Sequence, residues 1–304
     1  MAATETRLNR NDRGEFCDVR LLTVETDRGA RACGLWEGRY VDLNAADALL
    51  PSSVRELLAM GTDGLALAQE SLSKGRVRYA PETSKLLAPV PDPRKIVCLG
   101  LNYRDHAAES GMAVPDEPVL FSKYPSALIG HGAPILLPSV SNEVDYEAEL
   151  VVVVGIGGRD IAKENAMKHV AGYAVGHDVS ARDWQLNKPG KQWMAGKTFD
   201  TFAPVGPVLV TADEVDDPHD LGIRLRLNGK TMQDSSTSQL IFRIDEVIAY
   251  LSQIFTLEPG DLIFTGTPPG VGMARKPQVW LQAGDVVEVE IDGLGTLRNP
   301  VARR

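Results

Sequence analysis

Three carboxylates, one histidine with an acidic neighbour and one lysine are the side chains whose types and spacing could do chemistry together in this sequence. Glu147-Ala148-Glu149 heads an apolar run that reads as a strand, where residues two apart share a face with Cα atoms about 7 Å apart. Asp178 follows the strand-like Tyr173-Ala174-Val175-Gly176, so a third carboxylate could arrive from a neighbouring strand. An all-oxygen set without cysteine suits a hard ion, Mg²⁺ or Mn²⁺, better than a structural zinc. Taken singly, each is ordinary: a strand glutamate is usually solvated, and Asp178 alone is a turn residue. His106 and Glu109 stand three apart and share a face if their segment is helical. A carboxylate beside an imidazole fixes its tautomer and raises its basicity, as activation of water requires; the plain alternative is a surface pair. Lys197, after Ala195-Gly196, could stabilise an enolate or oxyanion. Gly266-Thr267-Pro268-Pro269-Gly270-Val271-Gly272 can turn backbone N–H groups toward an anion, although it lacks the Gly-Lys-Ser/Thr of a P-loop. His131, His169, His177 and His219 have no comparable partners and read as structural or solvated.

The elements that must position these residues are mostly strands. Val19 to Val24, a turn at Asp27-Arg28-Gly29, and Ala30 to Trp36 read as a hairpin. Ser53 and Glu56 form a capping box at the start of a short helix ended by Gly61, and a second helix is expected from about Leu65 to Leu72. Pro81, Pro89, Pro91 and Pro93 forbid regular structure and place a boundary between residues 1–92 and 93–304. Lys95 to Gly100 reads as a buried strand that runs directly into the polar segment bearing His106, an abrupt change that often marks a site. Tyr146 to Val154 is the strand of the two glutamates, and a helix capped by Asp160 and stopped by Gly172 is expected after it. Ile223, Leu225 and Leu227 alternate with arginines before the hairpin signal Asn228-Gly229. Asp245 is expected to cap a helix with Val247, Ile248, Leu251 and Ile254 on one stripe.

Composition bounds the function. The 304 residues are 43% hydrophobic and 24% charged, which makes an ordinary globular chain with a substantial core. A net charge of −9 argues against a sequence-independent grip on nucleic acid or anionic lipid, so the partner is expected to be a small molecule. Cys17, Cys33 and Cys98 make neither a CxxC nor an even-numbered framework, which suits a reducing compartment. The longest apolar run is too short for a bilayer, and Met1–Arg7 carries neither an apolar core nor a transit-peptide composition; a cytoplasmic address is the expectation. Val151–Gly158 imitates a dinucleotide fingerprint but places Asp160 where pyrophosphate should sit, and that reading is rejected.

The ordered motifs Gly100 to Glu109, Phe121-Ser122-Lys123, Asp145 to Leu150, His177 to Asp183, Gly196 to Asp200 and Thr265 to Gly272 resemble those of the fumarylacetoacetate hydrolase family over about Lys95 to Val301. The resemblance implies an α+β, mainly β fold, a mixed β-sandwich roll preceded by a small N-terminal α+β domain, and a homodimer. It makes Glu147, Glu149 and Asp178 the ligands of Mg²⁺ or Mn²⁺, and His106, Glu109 and Lys197 the catalytic residues. Lys123, Arg182, Gln185 and Thr267 match positions that contact the substrate. The implied reaction is carbon–carbon bond hydrolysis in a 2,4-dioxo acid, with oxaloacetate decarboxylation or enol–keto isomerisation on the same site as alternatives. A 2-oxo acid binding protein without turnover is the non-enzymatic alternative.

Overall fold

The computed structural model describes residues 19–111 and 113–304. Cys17 and the Met1–Arg7 stretch weighed above lie outside them. Strands Arg20–Thr26 (β1), Gly29–Trp36 (β2) and Arg39–Asp42 (β3) form the expected antiparallel start. Helices Val54–Ala59 (α1) and Gly61–Lys74 (α2) follow, the first capped where Glu56 N–H donates to Ser53 Oγ at 3.4 Å. After the prolines come Ile96–Gly100 (β4), the helix Arg104–Ser110 (α3), Val119–Ser122 (β5), Ala148–Val154 (β6) and Val170–His177 (β7). Then come the helix Arg182–Asn187 (α4) and strands Ala203–Thr211 (β8), Gly222–Leu227 (β9) and Lys230–Ser236 (β10). The helix Ile244–Ile254 (α5) and strands Leu262–Phe264 (β11), Val286–Ile291 (β12) and Gly295–Arg303 (β13) complete the set used below.

Among the described residues, a mixed twelve-stranded sheet has the spine β3-β2-β1-β8-β7-β6-β11-β4-β5, so the first strands hydrogen-bond directly to β8. A second sheet runs β10-β9-β12-β13 and ends on Ile135–Leu137. The strand β6 lies between two cores and is buried on both faces. Leu150, Val152 and Val154 join the apolar cluster shared with Ile223, Leu225, Val287 and Val289 of the second sheet. Val151 and Val153 point the other way, toward Leu57, Leu58 and Leu72 of α1 and α2. Each such side chain contributes about 1.5–3 kcal/mol by leaving water, and the period-2 alternation of a strand divides that gain between both sides. The result is an α+β, mainly β molecule.

Four local expectations are corrected. The segment after Asp160 is α-helical at Lys163–Ala166 and continues as a 3-10 turn over Met167–His169, and Asp160 does not cap it because the helix starts after Ala162. Gly172 lies inside β7 rather than ending a helix, because that backbone passes so close to the Val210 carbonyl that any Cβ would collide. The helix α5 starts after Arg243, whose N–H donates to Glu246 Oε2 at 2.9 Å, and Asp245 falls in its first turn. Its buried stripe is Ile244, Val247, Ile248 and Leu251, whereas Ile254 is 51% exposed. Rejection of a dinucleotide unit agrees with the topology, since β6 and β7 pair antiparallel and no helical crossover joins them as parallel neighbours.

Candidate active site

The strand expected over Tyr146 to Val154 is broken: Val144–Asp145 pairs with Ser180–Ala181, and β6 begins only at Ala148. Glu147 therefore lies in the two-residue break between these strands and Glu149 on the strand proper. Register pairs Glu149 with Gly176 and Ala148 with His177, which brings Asp178 alongside at the end of β7. Ligand oxygens of Glu147, Glu149 and Asp178 lie within 4.8 Å of one another, and all three residues are buried.

Three cations face these carboxylates. Lys197, on the turn Met194–Lys197, places Nζ 2.7 Å from Glu147 Oε2 and 2.8 Å from Asp178 Oδ2. Arg182 Nη2 is 2.7 Å from Glu147 Oε1, while its Nε donates to Asp145 Oδ2 at 2.8 Å and its Nη1 to Gln185 Oε1 at 2.9 Å. Lys123 Nζ stands 2.6 Å from Asp178 Oδ1, though at an angle poor for a hydrogen bond. It donates instead to the carbonyls of Val179, Phe202 and Lys197. Those acceptors use all three ammonium hydrogens, so Lys123 stands behind the carboxylates and has none left for a ligand.

The charges set the protonation states. Burial alone would raise the Glu147 carboxyl, but Lys197 and Arg182 overcome it and hold the group at about 2. Burial pushes Glu149 well above the usual carboxylate range, and the charges of Asp178 and Glu147 add to that. Its Oε2 accepts from Gly266 N–H at 2.7 Å, yet its Oε1 is buried without a partner among the described residues. Burial works against the Lys197 ammonium, but Asp178 and Glu147 raise it on balance. Burial lowers His177 to about 3, with Asp178 opposing and Lys123 and Lys197 reinforcing; it is a neutral core imidazole beside the site.

A cleft of about 420 Å³ opens over this cluster, bounded by His106, Glu109, Glu147, Arg182, Gln185, Lys197 and Thr267 among others. His106 and Glu109 do lie on one helix, α3, with Nδ1 and Oε2 3.3 Å apart. Gly270 N–H donates to Glu109 Oε1 at 3.1 Å and Oε2 at 3.0 Å, so one amide of the glycine-rich loop holds the protein's own carboxylate. Gly270 has φ +100°, a conformation that glycine adopts without strain. Phe121, Trp193, Leu186 and Met273 make the apolar side of the cleft, with Phe121 under Lys197 Nζ at 4.9 Å from its ring centre.

Sequence reasoning left Asp145 and Gln233 without roles. Asp145 accepts from Gly272, Met273 and Tyr146 N–H and from Arg182, which ties the glycine-rich loop to that arginine. Gln233 accepts from Ala148 N–H at 2.8 Å and donates to Thr267 Oγ1 at 2.9 Å and to the Pro268 carbonyl at 2.7 Å. Alternation could not reveal it, because a bulge sets Met232 between the paired residues Thr231 and Gln233 and turns both Met232 and Gln233 inward.

The fold and this cluster define an acidic, oxygen-lined site at the rim of a β-sandwich, and the chain belongs to the fumarylacetoacetate hydrolase family. The family model "Fumarylacetoacetate (FAA) hydrolase C-terminal" matches residues 95–302. A Xenopus laevis protein named oxaloacetate tautomerase fahd2, mitochondrial, is 52% identical over 264 residues, covering 87% of this chain and 83% of its own. The Homo sapiens oxaloacetate tautomerase FAHD2A, mitochondrial, is 48% identical over 280 residues, 92% of this chain and 87% of its own. A solved structure of maleylpyruvate hydrolase from Sphingobium sp. SYK-6, with manganese(II) and pyruvate, superposes with TM-score 0.77 at 32% identity, covering 93% and 99% of the two chains. These relatives correct the expected cytoplasmic address, since both tautomerases are named as mitochondrial. Among the described residues, no helix is long and apolar enough to cross a membrane.

Proposed function

We propose that the protein interconverts the enol and keto forms of a 2-oxo dicarboxylic acid of the oxaloacetate type. The observation that carries this reading is the His106–Glu109–Gly270 chain facing Lys197 across one cleft. Tautomerisation moves one proton from the carbon beside the 2-oxo group to the 2-oxo oxygen, so it needs a base at that carbon and a cation near that oxygen. His106 takes the proton from carbon and returns it to oxygen, and Glu109, fixed by Gly270 N–H, orients the imidazole. The Lys197 ammonium steadies the negative charge that develops at the oxygen. Gln185 and Thr267 offer donors to the substrate carboxylates. Arg182 spends its contacts on Asp145, Glu147 and Gln185 and keeps Gln185 in place. The names of the tautomerase relatives support this choice over the carbon–carbon hydrolysis favoured by the sequence.

The carboxylates fit a hard divalent ion: the donors are all oxygen, their spacing is short, and Glu149 Oε1 is a buried oxygen that no group among the described residues satisfies. Glu147, Glu149 and Asp178 would hold Mg²⁺ or Mn²⁺, which when bound supplies a Lewis acid for the oxygens of a 2-oxo acid. With Glu149 ionised by a bound ion, the carboxylates of Asp145, Glu147, Glu149 and Asp178 against Lys123, Arg182 and Lys197 leave one negative charge, which the divalent ion turns into one positive charge that attracts an anionic substrate.

A second reading, hydrolysis of an acylpyruvate, is favoured by the apolar side of the cleft, where Leu186, Trp193 and Met273 suit an apolar arm better than a second carboxylate. Stopped-flow absorbance separates the two. With Mn²⁺ and enol oxaloacetate, the wild type is expected to speed ketonisation and His106→Ala to lose about 10²–10⁴-fold of that acceleration. Loss of acylpyruvate absorbance without any effect on the oxaloacetate enol supports hydrolysis instead. Ketonisation unchanged by His106→Ala would overturn the role given to the histidine.

A further inference from the structure

We infer that Gln233 is a positioning residue that fixes the Thr267 hydroxyl as a hydrogen-bond donor toward the cleft. The inference rests on the 2-oxo acid reading of the site and adds to it the polarity of one substrate-facing group. Gln233 is 1% exposed and reaches from β10 across to two segments of the site. The orientation of its amide follows from the two backbone groups it meets. Ala148 N–H can only donate, so the atom 2.8 Å away is the amide oxygen; the Pro268 carbonyl can only accept, so the atom 2.7 Å from it is the amide nitrogen. That nitrogen's other hydrogen lies on Thr267 Oγ1 at 2.9 Å.

Thr267 must therefore accept from Gln233, and its own hydrogen has to point elsewhere. No acceptor within the described protein takes it, and Thr267 is 6% exposed on the cleft wall. A hydroxyl free to rotate could present either a hydrogen or a lone pair to a ligand. One already accepting from a buried amide presents its hydrogen, which suits a carboxylate oxygen and repels no anion. The same side chain also satisfies Ala148 N–H, between Glu147 and Glu149, so a purely structural role through the carboxylates is the competing account.

Gln233→Glu distinguishes them. It keeps an oxygen for Ala148 N–H but replaces the amide donor by an acceptor, which draws the Thr267 hydrogen away from the cleft. Oxalate binding to Mn²⁺-loaded protein is measured by calorimetry for wild type, Gln233→Glu, Thr267→Val and the double variant, with Mn²⁺ affinity in the absence of oxalate measured for each. Each single variant is expected to weaken oxalate about tenfold, and the double variant no more than Thr267→Val alone. Thr267→Ser, which keeps the hydroxyl, is expected to bind within about threefold of wild type. Equal losses from Gln233→Glu in both backgrounds, or a matching fall in Mn²⁺ affinity, overturn the inference. Wild type that binds Mn²⁺ but not oxalate overturns the 2-oxo acid reading itself, and with it the ligand assigned to Thr267.

Discussion

Lys197 forms ion pairs with both Glu147 and Asp178, and its removal is the sharpest test of the site's electrostatics. Its Nζ lies 2.7 Å from Glu147 and 2.8 Å from Asp178, with all three side chains less than a tenth exposed. At an effective dielectric constant of about 20, unit charges at such separations attract by about 6 kcal/mol. Each buried ion also costs several kcal/mol of lost hydration, so the net penalty for removing one partner of a buried pair is about 3–5 kcal/mol. Lys197→Met, which keeps the side-chain volume, is therefore expected to lower unfolding free energy in urea by about 3–5 kcal/mol when a chelator is present. The freed carboxylates should then bind Mn²⁺ more tightly than in wild type. At about 100 times the dissociation constant, an ion stabilises by about 2.7 kcal/mol, and a tenfold tighter site adds about 1.4 kcal/mol more. Millimolar Mn²⁺ is thus expected to narrow the gap between variant and wild type. A loss below about 1 kcal/mol in chelator, or an identical gap with and without Mn²⁺, would refute the reasoning.

Asp42 gives a pH test: burial alone would raise its carboxyl, but hydrogen bonds from Arg31, Ala45 N–H and Tyr79 hold it below the usual range. A depressed carboxyl contributes stability above its unfolded value and loses it as pH falls through the folded one. Asp42→Asn should cost about 1.5–3 kcal/mol at pH 7, with the gap closing in acid; a gap that persists unchanged in acid denies the assignment. Gly270→Ala should cost about 1–3 kcal/mol, because its φ is +100° and a Cβ would strike the Met232 carbonyl, and it should cut turnover by loosening Glu109. Unchanged melting and turnover would show that the loop yields freely. Light scattering at micromolar concentration is expected to give twice the 32.9 kDa chain mass, and a monomer would remove the expected homodimer.

Much of this fold could be read from local pattern. Ile223, Leu225 and Leu227 alternate with arginines, are buried in turn, and close at Asn228-Gly229 with φ of +52° and +79°, the geometry that dipeptide favours. The carboxylate trio was legible by residue type, and β-pairing supplied the proximity. What escaped depended on distant backbone. Gly172 looked like a helix stop because the neighbour that requires a glycine there, Val210, is 38 positions away. The position of Lys123 behind Asp178 depends on carbonyls of Val179, Lys197 and Phe202, which no local spacing announces. Gln233 was hidden by a bulge, whose effect is to break the very alternation by which strands are recognised.

The burial of β6 on both faces bears on how the site tolerates its own charge. Carboxylates crowded on a surface loop can relieve repulsion by swinging apart. Glu149 rides on a strand clamped between two apolar layers, paired on one side to β7 and on the other to β11, and cannot retreat without opening both cores. Repulsion there can be met only by counter-charge or by a proton, never by motion. The scaffold thus behaves like a rigid electrode of fixed geometry, whose occupancy by cations and anions changes while its shape does not. Such a frame has already met the reorganisation cost that water would otherwise impose at each turnover.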